Sequence, residues 1–183
     1  MRLWRTLPFD KAAAPSEPGG ALWFPREQQG YGRHDNADLY GCLYVSEDPV
    51  SAVAESLAAF RGTGRLTASM LTQVGRPLAL AELALPDDAV AIDLDDPDYL
   101  ASRGLRPSWI ATRQRKLTQA IARDLYIGTE AVGIRWWSTL EASLTNWTIY
   151  DRAAESLSLT EVTELRIDDP VVREAAALLG LTP

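Results

Sequence analysis

Four residues able to do chemistry follow one another along the chain: Arg33 in a glycine-bracketed loop, Tyr44 in an apolar run, Glu55 on an amphipathic stretch, and Ser138 after a second apolar run. Their settings are Gly-Tyr-Gly-Arg-His-Asp-Asn, Leu-Tyr-Val-Ser-Glu-Asp-Pro, Ala-Val-Ala-Glu and Gly-Ile-Arg-Trp-Trp-Ser. A guanidinium pairs bidentately with phosphate and keeps its charge at any physiological pH. A phenol offers a stacking face and a hydroxyl. A carboxylate stabilises positive charge that develops on a reacting group, and a serine hydroxyl orients a ligand. Each also has an ordinary reading: a solvated loop arginine, a core tyrosine, a glutamate on a wet helix face, and a serine bonded to local backbone. The residue types alone leave both readings open.

The elements that must position them are legible to different degrees. Met1 to Leu7 reads as extended, Pro8 to Gly20 as loop, Ala21 to Phe24 as a second short strand, and Pro25 to Leu39 as a polar loop carrying Gly30, Gly32 and Arg33. Tyr40 to Ser46 is nearly continuous apolar sequence with β-favouring residues, which predicts a buried strand. Asp48 then supplies an N-cap and Pro49 the first helical position. Val50, Val53, Ala54, Leu57 and Ala58 make one apolar stripe, and Glu55 falls outside it.

Downstream, Arg61 to Arg65 predicts a turn and the residues through Val74 a short helix. Pro77 to Leu85 and Val90 to Leu94 read as strands. Asp96-Pro97 opens a short helix that Gly104 stops. Thr112 to Tyr126 reads as a helix with Leu117, Ala120, Ile121, Asp124 and Leu125 bracketing its buried side. Ala131 to Trp136, Asn146 to Tyr150 and Glu161 to Ile167 read as strands, and Asp169-Pro170 opens a last helix ending near Leu179. Of Trp136 and Trp137, strand alternation turns one inward. Strands outnumber helices with no repeated βαβ unit, so a mixed, mostly antiparallel α+β fold is expected.

Composition bounds the partners. The 183 residues fit a single domain, 1–183, able to bury a core without metal or disulfides. Eighteen basic against twenty-five acidic residues leave a net charge of −7, which argues against direct nucleic-acid binding. An anionic ligand must therefore meet a local cluster of arginines. The lone cysteine, Cys42, makes no internal disulfide and points to a reducing cytoplasm. No run reaches membrane-spanning length. One histidine and one cysteine argue against a zinc site, and neither a dinucleotide-binding glycine fingerprint nor a phosphate-binding P-loop is present. His34 adjoins Arg33 rather than a serine elbow, so a loop residue touching ligand or solvent is favoured over a general base.

Taken in order, Gly32-Arg33, Leu43-Tyr44, Pro49 to Glu55, and Gly133-Ile134 to Ser138 resemble the Arg-Glu-Ser (RES) domain, the toxin partner of Xre-type antitoxins. Thr118-Gln119-Ala120-Ile121-Ala122, Leu125-Tyr126, Asn146 and Tyr150-Asp151 extend the likeness over roughly residues 2–170. The chain departs from it at His34, where many members carry tryptophan. The resemblance implies an ADP-ribosyltransferase-like fold, NAD as substrate without metal, and cleavage of the nicotinamide glycosidic bond by hydrolysis or phosphorolysis. It further implies roles: Glu55 beneath the ribose, Arg33 (with Arg26 as competitor) on the pyrophosphate, Tyr44 near nicotinamide, and Ser138 on the nicotinamide ribose. It implies an Xre-type helix-turn-helix antitoxin as partner, with a homodimer or a toxin–antitoxin hetero-oligomer left open. Transfer of ADP-ribose to a protein, and a non-catalytic binding module on the same fold, are the alternatives.

Overall fold

The computed structural model describes residues 1–182. In chain order its elements are β1 (Arg2–Pro8), β2 (Cys42–Ser46), α1 (Pro49–Leu57), β3 (Thr72–Gln73), β4 (Arg76–Ala84) and β5 (Ala91–Asp93). They continue with α2 (Pro97–Ser102), α3 (Pro107–Ile110), α4 (Arg115–Gly128), β6 (Gly133–Trp137), β7 (Thr145–Tyr150), β8 (Ser158–Glu164) and α5 (Pro170–Leu178). The expected mixed, mostly antiparallel α+β architecture is the one observed. No helix among the described residues is long and apolar enough to cross a membrane.

The chain forms two compact units. The first comprises Met1–Trp23, Val45–Leu85 and the residues from Leu157 onward. Here β4 is central. It pairs antiparallel with β1 from Arg2↔Ala84 to Pro8↔Leu78, and on its other side with β3 and then β8, whose register shifts at Glu82/Leu83. The α1 helix packs against α5 and β1. Its start is fixed as the sequence predicts: Asp48 Oδ1 accepts from Ser51 N at 3.0 Å, and Pro49 takes the first turn. The buried face is wider than the apolar stripe, taking in Ser51 and Ala52, while Glu55 is half-buried at its margin.

The second unit is Phe24–Tyr44 and Pro86–Ser156. Its strands run in the order β2, β7, β6, β5. The β6–β7 pair is antiparallel from Gly133↔Ile149 to Trp137↔Thr145, whereas β5 lies parallel to β6. Parallel neighbours need a long crossover, and α2, α3 and α4 supply it. Ile92, Leu94, Ile110, Ile121, Leu125, Ile134 and Trp136 form the core beneath them. The end of α4 is held by Arg152, which donates to Tyr126 O and Thr129 O and lies 3.6 Å over the Tyr126 ring.

Several local expectations are corrected. Residues 21–24 form no strand. Arg5 Nη1 donates to Ala21 O at 2.6 Å, and the segment turns through Leu22 N to Pro15 O. The stretch through Val74 is a single 3₁₀ turn, Ala68–Leu71, leading into a β3–β4 hairpin. Its two-residue loop needs positive φ twice, met at Val74 (46°) and Gly75 (75°). Valine is strained there, so nothing in its type announces a turn. The helix read at 112–126, with Gly128 as its stop, begins instead at Arg115 and does end at Gly128. Its buried side is Thr118, Ile121, Ala122 and Leu125, with Ala120 and Asp124 exposed. The strand read at 161–167 is Ser158–Glu164, and α3 has no counterpart in the sequence reading.

Candidate active site

The second unit gathers its chemistry around the loop Gly30–Asn36. Asp35 organises that loop from inside, only 6% exposed. Its Oδ2 accepts from Gly30 N at 2.8 Å and Gly32 N at 2.6 Å, and its Oδ1 accepts from the Tyr44 hydroxyl at 2.6 Å. The Cys42 thiol lies 3.6 Å from Oδ1. Carboxylate bonds of this kind are among the strongest neutral-pH tethers a loop can have. The Tyr44 hydroxyl in turn accepts from His34 N at 2.9 Å. Gly32 is obligatory for this packing, since a Cβ there would run into Asp35 Oδ1 and Tyr44 OH.

Helix α4 grips the same loop from outside. Thr118 Oγ1 donates to Arg33 O at 2.5 Å, and Gln119 Nε2 donates to Gly30 O and Gly32 O at 3.1 and 2.9 Å. Thr118 is therefore buried with its hydroxyl satisfied, which explains why the helix turns that face inward. Asn36 Nδ2 reaches Tyr40 OH and Gln119 O, while Tyr40 OH donates to His34 O. Beside the loop, Gln29 pairs with the backbone of Cys42 in both directions, donating to its carbonyl and accepting from its N–H.

Arg33 is 6% exposed. Its Nη1 donates to Ile110 O at 2.7 Å and Thr112 O at 2.9 Å, and its guanidinium carbon sits 5.0 Å from the Trp136 ring centroid. Trp136 is the inward member of the tryptophan pair, Trp137 being half-buried. Arg26 has a different setting: its side chain is 44% exposed, its Nε donates to Ala37 O, and Nη1 lies 3.9 Å from Asp151 Oδ2.

His34 points inward, 2% exposed, with Nδ1 2.7 Å from Thr148 Oγ1 and its ring edge-on to Trp136. Burial, followed by the positive charges of Arg33 and Arg115, pushes its pKa down to about 3. It is a neutral imidazole at physiological pH, fixed in place rather than poised to take protons. The Tyr44 phenol and Cys42 thiol are pushed up, first by burial. Both stay protonated and able to donate.

Ser138 follows Trp137 at the end of β6 and is 1% exposed. Its N–H donates to Leu144 O at 2.7 Å and its Oγ accepts from Leu140 N at 3.0 Å, so it holds the base of the loop between β6 and β7. The structure thus joins Arg33 and Tyr44 through one loop, and places Ser138 just beyond the end of the strand that carries Trp136, whose ring faces Arg33. Glu55 belongs to the first unit, on α1. Sequence reasoning missed Asp35, Thr118 and Gln119 as loop-holding residues. The one hint was a carboxylate two residues after Arg33 and preceded by glycines, whose amides it accepts from only once the loop has folded.

Fold and loop together define a class: a mixed α+β protein with a buried arginine presented on a glycine-rich loop, fastened by a carboxylate and a helix. The chain belongs to the RES domain family, which it matches over residues 2–169. Its fold is shared with a chain in the crystal structure of the M. tuberculosis MbcT–MbcA toxin–antitoxin complex. The TM-score is 0.65 at 16% sequence identity, covering 98% of this chain and 87% of that one. No curated protein matches the chain in sequence.

Proposed function

We propose that this protein is the toxin of a toxin–antitoxin pair and that it consumes NAD by breaking the nicotinamide glycosidic bond. The observation that carries the reading is the RES family match, which spans Arg33, Tyr44, Glu55 and Ser138 together. Support comes from the shared fold with a chain of the mycobacterial toxin–antitoxin complex. Support also comes from an arginine whose orientation is set before any ligand arrives, which lowers the entropic cost of a phosphate contact.

Cleavage of that bond passes through an oxocarbenium-like ribosyl cation. In this reading Glu55 opposes the developing charge and holds the ribose hydroxyls. Arg33 takes the pyrophosphate. Because the Tyr44 hydroxyl is bonded to Asp35 and His34 N, what Tyr44 offers nicotinamide is the ring. Ser138 bonds the nicotinamide ribose. The bond that breaks leaves its electron pair on nicotinamide, and water or inorganic phosphate attacks the ribosyl carbon. The partner is an Xre-type antitoxin that holds the toxin inactive.

The test is incubation of purified protein with radiolabelled NAD. Free nicotinamide with ADP-ribose supports hydrolysis, and its phosphorylated counterpart in phosphate buffer supports phosphorolysis. Label on a protein would redirect the reading to transfer. Intact NAD with folded protein, together with unimpaired growth of cells expressing it, would remove the NAD-consuming toxin altogether.

A further inference from the structure

In the second unit, away from the Arg33 loop, β5 ends its sheet and, among the described residues, has one neighbour, β6. Val90 O accepts from Val132 N and Leu94 N donates to Arg135 O, so the even-numbered residues turn their backbone groups toward β6. Alternation along a strand then turns the N–H and C=O of Ala91 and Asp93 to the outer edge. Edge strands of this kind are templates for pairing with another chain unless they are covered.

A groove of about 500 Å³ opens along that edge. Ala91, Ala131, Tyr99 and Val90 give it apolar walls, and Val90 is 70% exposed, one of the few large apolar side chains left so open. The Tyr99 hydroxyl is buried without a hydrogen-bond partner among the described residues, and buried polar groups are ordinarily satisfied. Asp93, Asp96 and Glu130 supply the rim. Residues 87–98 carry six aspartates and no cation. Two arginines answer part of that charge, Arg135 on Asp93 at 2.8 Å and Arg152 near Glu130 at 3.8 Å.

We propose that this edge and groove form a docking site for an extended segment of a partner protein, which adds to β5 as a strand with apolar side chains in the groove and a lysine or arginine at the acidic rim. Three observations converge on that occupant. The outward backbone groups of Ala91 and Asp93 need an extended main chain. The apolar walls take alternate side chains of a strand. The rim selects cationic flanks by charge. The site stands apart from the NAD reading and does not depend on it.

The test uses the intact, isotopically labelled protein and a panel of alternating Val/Thr heptapeptides flanked by Lys, by Ser or by Glu. With Lys-flanked peptides, NMR shift changes and slowed hydrogen exchange are expected at the Ala91 and Asp93 amides, with binding at least tenfold weaker for Glu flanks. Glu130→Lys, at an exposed rim position, should weaken the Lys-flanked peptides about tenfold while leaving NAD turnover unchanged. Absence of shifts across the panel, shifts confined to other strands, or equal binding of Lys and Glu flanks would each overturn the proposal. Concentration-dependent self-association that protects Ala91 and Asp93 without peptide would overturn the partner assignment in favour of a second copy.

Discussion

Tyr44 and Asp35 share a 2.6 Å hydrogen bond in which the phenol donates to the carboxylate, and the same phenol oxygen accepts from His34 N. One side chain therefore couples strand β2 to the two residues that follow Arg33. Asp35→Ala leaves Gly30 N, Gly32 N and Tyr44 OH without their acceptor. Losing charge-assisted bonds at a buried site should lower stability by about 3 kcal/mol, measured by denaturant unfolding. In protein that remains folded, the Michaelis constant for NAD should rise as the loop loosens. Unchanged stability and NAD affinity would show that Asp35 does not hold the loop.

Glu55→Gln keeps the shape of the side chain and removes its charge. The packing of α1 relies on Ser51, Ala52, Val53, Ala54 and Leu57, so the fold should stay intact while nicotinamide release falls about 10²–10³-fold. Near-normal turnover by a cleanly folded variant would take Glu55 out of the mechanism.

Arg33→Ala should weaken NAD binding at least tenfold, the order of one charge-assisted contact to phosphate. Arg26→Ala should have a small effect, because Arg26 is an exposed residue loosely paired with Asp151. Arg33→Ala also strips the donor from Ile110 O and Thr112 O, so calorimetry must be paired with a melting measurement. Equal losses of affinity in the two variants would leave the phosphate contact unassigned.

His34 is the chain's one histidine, and its folded pKa of about 3 lies below the ordinary value of 6.5. The unfolded chain therefore binds the proton more readily. The stability associated with neutral His34 is complete above pH 6.5 and is lost as pH falls toward 3, by roughly 1 kcal/mol per pH unit. Replacing His34 with Gln, which can still bond Thr148, should flatten the unfolding free energy between pH 7 and pH 5. A slope identical to that of the wild type would mean that the imidazole does not govern this window.

Where the sequence carried a local instruction, the fold was legible. Asp48-Pro49, Asp96-Pro97 and Asp169-Pro170 each stand at a helix start, because proline lacks only a donor that the first turn leaves unused. Arg33, Tyr44 and Ser138 could be nominated by residue type and order. Asp35 could not, since a loop aspartate is ordinarily solvated, and its role arises only when Gly30, Gly32, Tyr44 and Cys42 converge on it. Thr118 misled for a related reason. Hydropathy assigns a threonine to the wet side of α4, and only the Arg33 carbonyl waiting for its hydroxyl turns it inward. Val74 fills a left-handed turn position that Asn or Gly normally marks.

Cys42 lies behind the Arg33 loop, 1% exposed, with its thiol held protonated by burial and by the nearby Asp35 carboxylate. A thiol in that state is shielded from disulfide reagents until the loop or β2 opens. As the single cysteine of the chain, it gives one labelling event per molecule. Its rate of modification thus acts as a clock for local opening, reading how often the closed loop gives way in solution.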